Sequence, residues 1–259
     1  MNAKRSWIPM MFISMVLLNS CNREELITTV EPMTLDLAEN LTPYGNSLIL
    51  KFTTERSYEC SNYEVKIAMQ DTTGVLEIDL LGVLEPGVCI EQPEPARGYA
   101  LYSSDPDTYE IRIKQQDRVS EGTLTVTNTR YLFNWINLES LTPVQLEMIK
   151  VPDQFYWGVL TRGTTNGTAE AEEFRQRLRN EGANLEPVLL EGEYGPFRVT
   201  SGGELVIDGL QLTPSDDLIM MYFPGGTEHL NDVLGDFTRH DFQVTFLTHD
   251  GYSINNQLL

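Results

Sequence analysis

Histidine and positive charge are both scarce in this chain of 259 residues. It contains three histidines, all within the last 31 residues, and 18 Lys and Arg against 38 Asp and Glu, so the formal net charge is −20. Removing residues 1–20, for reasons given below, would change that charge to −22. Such an acidic surface repels phosphate backbones, which argues against nucleic acid as a partner.

The sequence also lacks the common catalytic and cofactor motifs. HExxH, GxSxG and SxxK do not occur, and neither glycine-containing loop before a helix has Walker spacing or a Lys. His229, His240 and His249 are separated by 11 and 9 positions, which match no zinc motif. We therefore predict no catalytic residue, no metal and no cofactor, and a protein that is not an enzyme. The alternative is a hydrolase that pairs one of these histidines with a carboxylate.

Long apolar runs are absent after the first 20 residues, and no internal repeat occurs. Residues 7–18 form the one apolar run, which follows the basic pair Lys4 and Arg5. Its 12 residues fall well short of the roughly 20 that span a bilayer. This arrangement predicts a signal peptide over residues 1–20.

The end of that segment contains Leu18, Ser20 and Cys21, which resemble the lipobox of bacterial lipoproteins. The resemblance implies that Cys21 carries palmitate-type acyl chains and that residues 21–26 form a lipidated tether. Arg23-Glu24-Glu25 resembles the export signal of surface lipoproteins in the Bacteroidetes phylum. The implied location is the outer membrane, exposed on the cell surface or otherwise facing the periplasm. The alternatives are an ordinary secretory signal and a tether whose charges have no role.

Three cysteines are an odd number for an exported protein, but lipidation of Cys21 leaves Cys60 and Cys89 as a pair. In an oxidising compartment this pair predicts a disulfide. Closing a loop of about 30 residues would stabilise the fold by about 3.5 kcal/mol in the chain-entropy model. Two buried or reactive thiols are the alternative.

Residues 27–133 contain short runs of alternating apolar and polar residues, separated by turn signals, which predict a β-sandwich. This part resembles the immunoglobulin-like modules found near the anchor of surface lipoproteins, which implies an immunoglobulin-like β-sandwich that acts as a spacer. The seven predicted strands cover residues 33–37, 47–53, 63–69, 75–81, 99–103, 108–114 and 122–127.

The pattern changes near residue 134, and residues 134–259 predict an α+β domain. Thr142 as N-cap and Gln145 in a capping box predict a helix over residues 143–150. Thr168 is predicted to cap a second helix that Gly182 ends, and a third helix is predicted over residues 228–236. The predicted strands of this part cover residues 156–161, 187–190, 197–201, 204–207, 218–223 and 242–248.

Several segments of the chain are candidates for binding. Trp135, Tyr156 and Trp157 belong to an aromatic group near the domain junction, and exposed members of it would offer stacking faces to a sugar or a peptide. The alternative is that this group forms an interdomain core. Residues 164–168 and 225–227 are candidate anion-binding turns, because each precedes a predicted helix. The candidate calcium ligands are Asp105, Asp107, Asp216 and Asp217. Asp71-Thr72-Thr73 resembles the O-glycosylation sequon of the same phylum.

These observations predict a lipid-anchored cell-envelope protein that acts as a non-catalytic binding or assembly module. Its partners would be the membrane, through Cys21, and an envelope protein or a glycan. A surface glycan-binding protein and the hydrolase described above are the alternatives.

Overall fold

The computed structural model describes residues 25–72, 74–103, 105–238 and 240–257. The signal peptide, Cys21 and most of the export signal lie outside these residues, as does Thr73 of the sequon-like triplet. Within the described residues the chain forms eighteen β-strands and two α-helices, so the protein is β-rich.

The first eleven strands form one large curled sheet. They are β1 (Leu26–Ile27), β2 (Met33–Asn40), β3 (Ser47–Cys60), β4 (Glu64–Thr72), β5 (Val75–Leu84), β6 (Glu91–Tyr102), β7 (Asp107–Gln115), β8 (Arg118–Val126), β9 (Arg130–Asn137), β10 (Leu141–Pro143) and β11 (Glu147–Ile149). Their order is β10-β2-β3-β6-β4-β5-β7-β8-β9-β11, and β1 pairs with β5.

Alternating burial explains why these segments are strands. Leu48, Leu50 and Phe52 of β3 are fully buried, and the residues between them are partly exposed. Because successive side chains of a strand point to opposite faces, one face of the curled sheet encloses a continuous apolar core. All seven strands predicted between residues 33 and 127 are confirmed, most of them longer than predicted.

The predicted disulfide is confirmed, since the sulfurs of Cys60 and Cys89 are bonded. The bond joins the end of β3 to the loop before β6, and the Cα atoms lie 5.3 Å apart.

The helix predicted over residues 143–150 is wrong, because the strands β10 and β11 lie there. β10 runs parallel to β2, and the Val144 amide donates to the Leu35 carbonyl. The Gln145 side chain donates to the Leu37 carbonyl and does not cap a helix. A helix of this length is marginal on its own, whereas the edges of β2 and β9 offer partners for the backbone groups.

The rest of the chain forms a four-stranded sheet, a small three-stranded sheet and both helices. Its elements are β12 (Phe155–Arg162), α1 (Gly167–Asn180), β13 (Gly192–Glu193), β14 (Arg198–Val199), β15 (Leu205–Val206), β16 (Asp216–Tyr222), α2 (Gly226–Gly235), β17 (Phe242–Thr248) and β18 (Ser253–Asn255).

The strands predicted over residues 156–161, 218–223 and 242–248 are confirmed as β12, β16 and β17, and the two later helices as α1 and α2. The hairpin strands predicted over residues 197–201 and 204–207 shorten to β14 and β15. The cap of α1 differs from the prediction, since Asn166 is its N-cap and Thr168 lies inside the helix.

The strand predicted over residues 187–190 is wrong. The segment belongs to none of the three sheets, since no strand of the described residues pairs with it. Pro187 also has no amide hydrogen to donate to a neighbouring strand. Val188 is 95% exposed.

The central strand β12 is buried on both faces, and this arrangement joins the parts of the molecule. Tyr156 and Leu160 point into a core that contains residues of α1 and α2. Phe155 and Trp157 point into another core that contains Ile149 of β11. The large sheet thus extends to Ile149, past the predicted domain boundary near residue 134.

No helix of the described residues has the length and hydrophobicity needed to cross a membrane.

Candidate functional site

The three aromatic residues predicted to bind a ligand lie in three different cores. Trp157 and Tyr156 are 1% and 0% exposed and point to opposite faces of β12, and Trp135 is half-buried against the core of the large sheet. The Tyr156 hydroxyl is within hydrogen-bond distance of the Thr227 hydroxyl. A stacking platform needs exposed ring faces side by side, and these three rings do not form one.

The three histidines lie apart, and two of them meet a carboxylate. His229 Nε2 is 3.0 Å from Glu181 Oε2, and His240 Nδ1 is 3.6 Å from Glu170 Oε2. The His249 ring contacts Tyr156 edge-on. No hydroxyl or thiol in the part of the chain that the structure describes hydrogen-bonds to these rings.

A carboxylate of the protein accepts two backbone amides at the first candidate anion site, and another lies near a threonine hydroxyl at the second. Asp241 Oδ2 accepts the amides of Thr165 and Asn166 at 2.8 and 2.9 Å, and these hydrogen bonds hold the pKa of Asp241 below its usual range. At the start of α2, the Thr227 hydroxyl donates to Asp250. An added anion would compete with these negative charges.

Three of the four aspartates considered as calcium ligands have partners of other kinds, whereas Asp105 accepts a hydrogen bond, within the described residues, only at its backbone carbonyl. Asp107 accepts the amide of Thr108, and Asp216 accepts the hydroxyls of Thr161 and Thr213, which lower the pKa of Asp216. Asp217 pairs with two arginines, Arg162 and Arg175. Among the described residues, no group of three or more His, Cys, Asp or Glu side chains is placed to hold a metal ion.

A cleft that the sequence did not indicate lies between the large sheet and the segment that contains Val188. Its volume is about 470 Å³, and residues of β2, β9 and β11 line one side of it. Val188, Leu189 and Leu190 line the other side, together with Tyr194 and Tyr222. This size falls within the usual range of small-molecule sites, and we name it the Glu39 cleft after its buried carboxyl group.

Glu39 is only 7% exposed, which is rare for a carboxylate. Its Oε2 accepts the amide of Val151 at 2.8 Å, but its Oε1 is buried without a hydrogen-bond partner of good geometry among the described residues. Burial raises the pKa of Glu39 to about 7, although the Val151 amide, the Lys150 charge and the Tyr131 hydroxyl partly offset the effect. The cleft therefore contains a desolvated carboxyl group whose nearest donors, the Val151 amide and the Tyr131 hydroxyl, are neutral.

Lys150 and Tyr131 flank this carboxyl group and pair with each other. The Lys150 Nζ lies 4.6 Å from the centre of the Tyr131 ring, in a cation–π contact. Burial lowers the pKa of Lys150, and burial together with the Glu39 charge raises the pKa of Tyr131. Lys150 forms no ion pair with Glu39, so the carboxylate has no bonded cation among the described residues.

The outer side of the cleft is apolar and open to solvent. Val188 and Leu190 are 95% and 55% exposed, although both are aliphatic. The Tyr194 hydroxyl donates to the Leu190 carbonyl and holds this segment in place. The cleft thus combines an apolar lip with a polar, desolvated floor, which is typical of a site for an amphipathic molecule.

The sequence did contain a signal for Glu39. Met33, Leu35 and Leu37 are the inward-facing positions of β2, and Glu39 is the next residue of the same parity. The predicted strand ended at residue 37, so the acidic residue at the following inward position was not recognised.

The comparisons with known proteins assign no family to this arrangement. No protein-family model, no curated protein and no solved structure matches the chain.

Proposed function

We propose that the protein is a lipid-anchored, non-catalytic binding module of the cell envelope that takes a small amphipathic molecule into the Glu39 cleft. The observation that carries this proposal is that a cleft of about 470 Å³ is lined by a buried carboxyl group, Glu39, whose Oε1 meets no donor at hydrogen-bond geometry among the described residues. A buried acceptor without a partner costs stability, about 1–3 kcal/mol, and a bound ligand can supply the missing donor.

The location and the two-part organisation belong to the same proposal. The lipobox-like residues and Cys21 support lipid anchoring, and the bonded pair Cys60 and Cys89 fits an oxidising compartment. The curled sheet supports the interpretation of residues 27–133 as an immunoglobulin-like spacer. The helices and the four-stranded sheet support an α+β part within residues 134–259, and the cleft lies where the two parts meet.

The anchor is tested by replacing the lipidated cysteine. We expect the wild type to incorporate radiolabelled palmitate and to sediment with membranes, because several acyl chains give a stable anchor. Cys21→Ser is expected to lose the label and to leave the membrane fraction. A variant that still sediments with membranes and carries the label would refute lipidation at this residue.

The cleft is tested by filling it. Thr129 is exposed and lines the cleft, so Thr129→Trp should reduce its volume while leaving the core intact. We expect small molecules that co-purify with the wild type to be depleted about tenfold in this variant, a loss of roughly 1.4 kcal/mol in affinity. Mass spectrometry of extracts from protein isolated from its native cells provides the measurement.

Asp117→Trp is the matched control, because Asp117 is exposed in the turn between β7 and β8 and does not line the cleft. It should retain the co-purifying molecules at the wild-type level. Equal retention by both tryptophan variants, or no molecule with any of the three proteins, would contradict a small-molecule site in this cleft.

A further inference from the structure

The chemistry of the Glu39 cleft indicates which kind of ligand it takes. A desolvated carboxylate gains most from a charged donor, because charge-assisted hydrogen bonds are about twice as strong as neutral ones. Glu39 lines the cleft, and its carboxylate accepts the amide of Val151 and interacts with the Tyr131 hydroxyl, which are both neutral donors.

No cation forms an ion pair with Glu39 within the described part of the chain. Lys150 places its ammonium group on the ring of Tyr131 and forms no ion pair with Glu39. Asp153 also lines the cleft and adds a second negative charge. In a chain with a formal net charge of −20, charge complementarity favours a cationic ligand.

The apolar lip defines the other half of the ligand. Val188 and Leu190 expose aliphatic side chains at the mouth of the cleft, and covering them would remove apolar surface from water. A ligand that reaches from this lip to the Glu39 carboxylate therefore needs an apolar body with a polar group at one end.

We propose that the Glu39 cleft binds a small amphipathic amine, with its ammonium group at the Glu39 carboxylate and its apolar body against Val188 and Leu190. This inference rests on the proposed function, since it names the ligand class of the same site. Lys150 lines the cleft as well, so the opposite preference, for a carboxylate bound by Lys150, is the outcome that opposes it.

Three probes of similar size separate these outcomes, namely hexylamine, hexan-1-ol and hexanoate. Each is titrated into the isotope-labelled mature protein, and amide chemical shifts are followed by NMR. The Val151 amide is the reporter for the floor of the cleft, because it donates to Glu39 Oε2. At pH 8 we expect hexylamine to bind about tenfold more tightly than hexan-1-ol, and hexanoate to bind weakest.

The dependence on pH gives a second measurement on the wild-type protein. The charged or titratable groups around Glu39 are Lys150, Tyr131 and Asp153. An alkylammonium, like a lysine side chain, keeps its proton to about pH 10, so Glu39 is the group expected to ionise near neutrality. The affinity for hexylamine should therefore rise between pH 5.5 and pH 8, by about tenfold, and the affinity for hexan-1-ol should stay constant.

Glu39→Gln provides the matched variant, because the amide keeps the shape and one acceptor but cannot carry a negative charge. We expect it to lose the preference for hexylamine and to bind hexan-1-ol as the wild type does. Circular dichroism establishes that the variant is folded, and the pH series on the wild type tests the same group without substitution.

Each result supports or overturns a defined statement. Equal or tighter binding of hexan-1-ol or hexanoate would overturn the amine proposal and leave the cleft as a binding site. If none of the three probes shifts the Val151 amide or its neighbours in the cleft, the proposed function fails, and the amine proposal fails with it.

Discussion

Gly158→Ala should lower the free energy of unfolding by about 3 kcal/mol or more. Gly158 lies in the middle of β12, between β16 and β17. A Cβ at this position would lie 2.8 Å from the carbonyl carbon of Thr245 and 2.9 Å from the Cα of Phe246, and closer still to the Thr245 carbonyl oxygen. Backbone atoms of a paired strand cannot move aside as the end of a flexible side chain can, so β12 and β17 would separate.

Thermal unfolding measures this effect, and Gly235→Ala is the matched control. The same methyl group at Gly235, near the end of α2, meets no atom within 4 Å. For a chain of this size a loss of 3 kcal/mol corresponds to a decrease in Tm of about 6–12 °C, whereas Gly235→Ala should leave Tm unchanged or raise it slightly. Similar Tm values for the two alanine variants would show that β12 and β17 are not packed this closely.

The second large effect concerns Glu39 and depends on pH. Raising the pH from 5 to 8 should lower the free energy of unfolding of the wild type by about 2–3 kcal/mol more than that of Glu39→Gln. Burial raises the pKa of this carboxyl group in the folded protein from 4.5 to about 7. In that interval the folded state therefore holds more protons than the unfolded state, and wild-type stability falls as the pH rises toward 7. Glutamine does not ionise and avoids this loss.

Chemical denaturation at pH 5 and pH 8 provides the measurement. Comparing the two pH values removes any constant effect of the new amide group on hydrogen bonding in the cleft. Glu55→Gln is the control, since Glu55 is an exposed residue of the neighbouring strand β3. If the two glutamine variants change in parallel between pH 5 and pH 8, the raised pKa of Glu39 is refuted.

The free-energy cost of burying the Glu39 carboxylate links the expected stability change to the proposed ligand. A buried carboxylate without a bonded cation weakens the fold, and replacing such a group often stabilises a protein. The proposed amine would remove the cost when it binds, because it supplies a cationic donor to a carboxylate whose present donors are neutral. The expected gain in stability of Glu39→Gln and its expected loss of amine preference thus have the same physical origin.

The strands of the large sheet were accessible to sequence reasoning because their pattern is local. Ile111 and Ile113 alternate with Arg112 and Lys114, and this alternation of period two identifies β7 without knowledge of its neighbours. The pairing of Cys60 with Cys89 followed from counting cysteines. The end of helix α1 was likewise recognised from a residue close in sequence, Gly182, which follows its C-cap residue.

Two predicted elements failed because partners elsewhere in the chain decided them. Residues 143–150 contain a good local capping pattern, but β2 and β9 offered hydrogen-bond partners for their backbone groups. Residues 187–190 have strand-forming side chains, but no sheet edge reaches them within the described residues. Local preference was too weak to prevail in the first case and had nothing to pair with in the second.

The sequence by itself determined the acidic charge, the rhythm of the strands and the disulfide partners, because each depends on composition or on residues close together in the chain. Only the tertiary structure decided that Tyr156 and Trp157 are buried and that Glu39 faces a cleft. Glu39 and the amide that it accepts are 112 positions apart, and the apolar lip lies further along the chain still. The local pattern of β2 indicates only that Glu39 points inward. The cleft, and the loss of hydration that changes the chemistry of Glu39, arise when these distant segments pack together, so no local pattern encodes them.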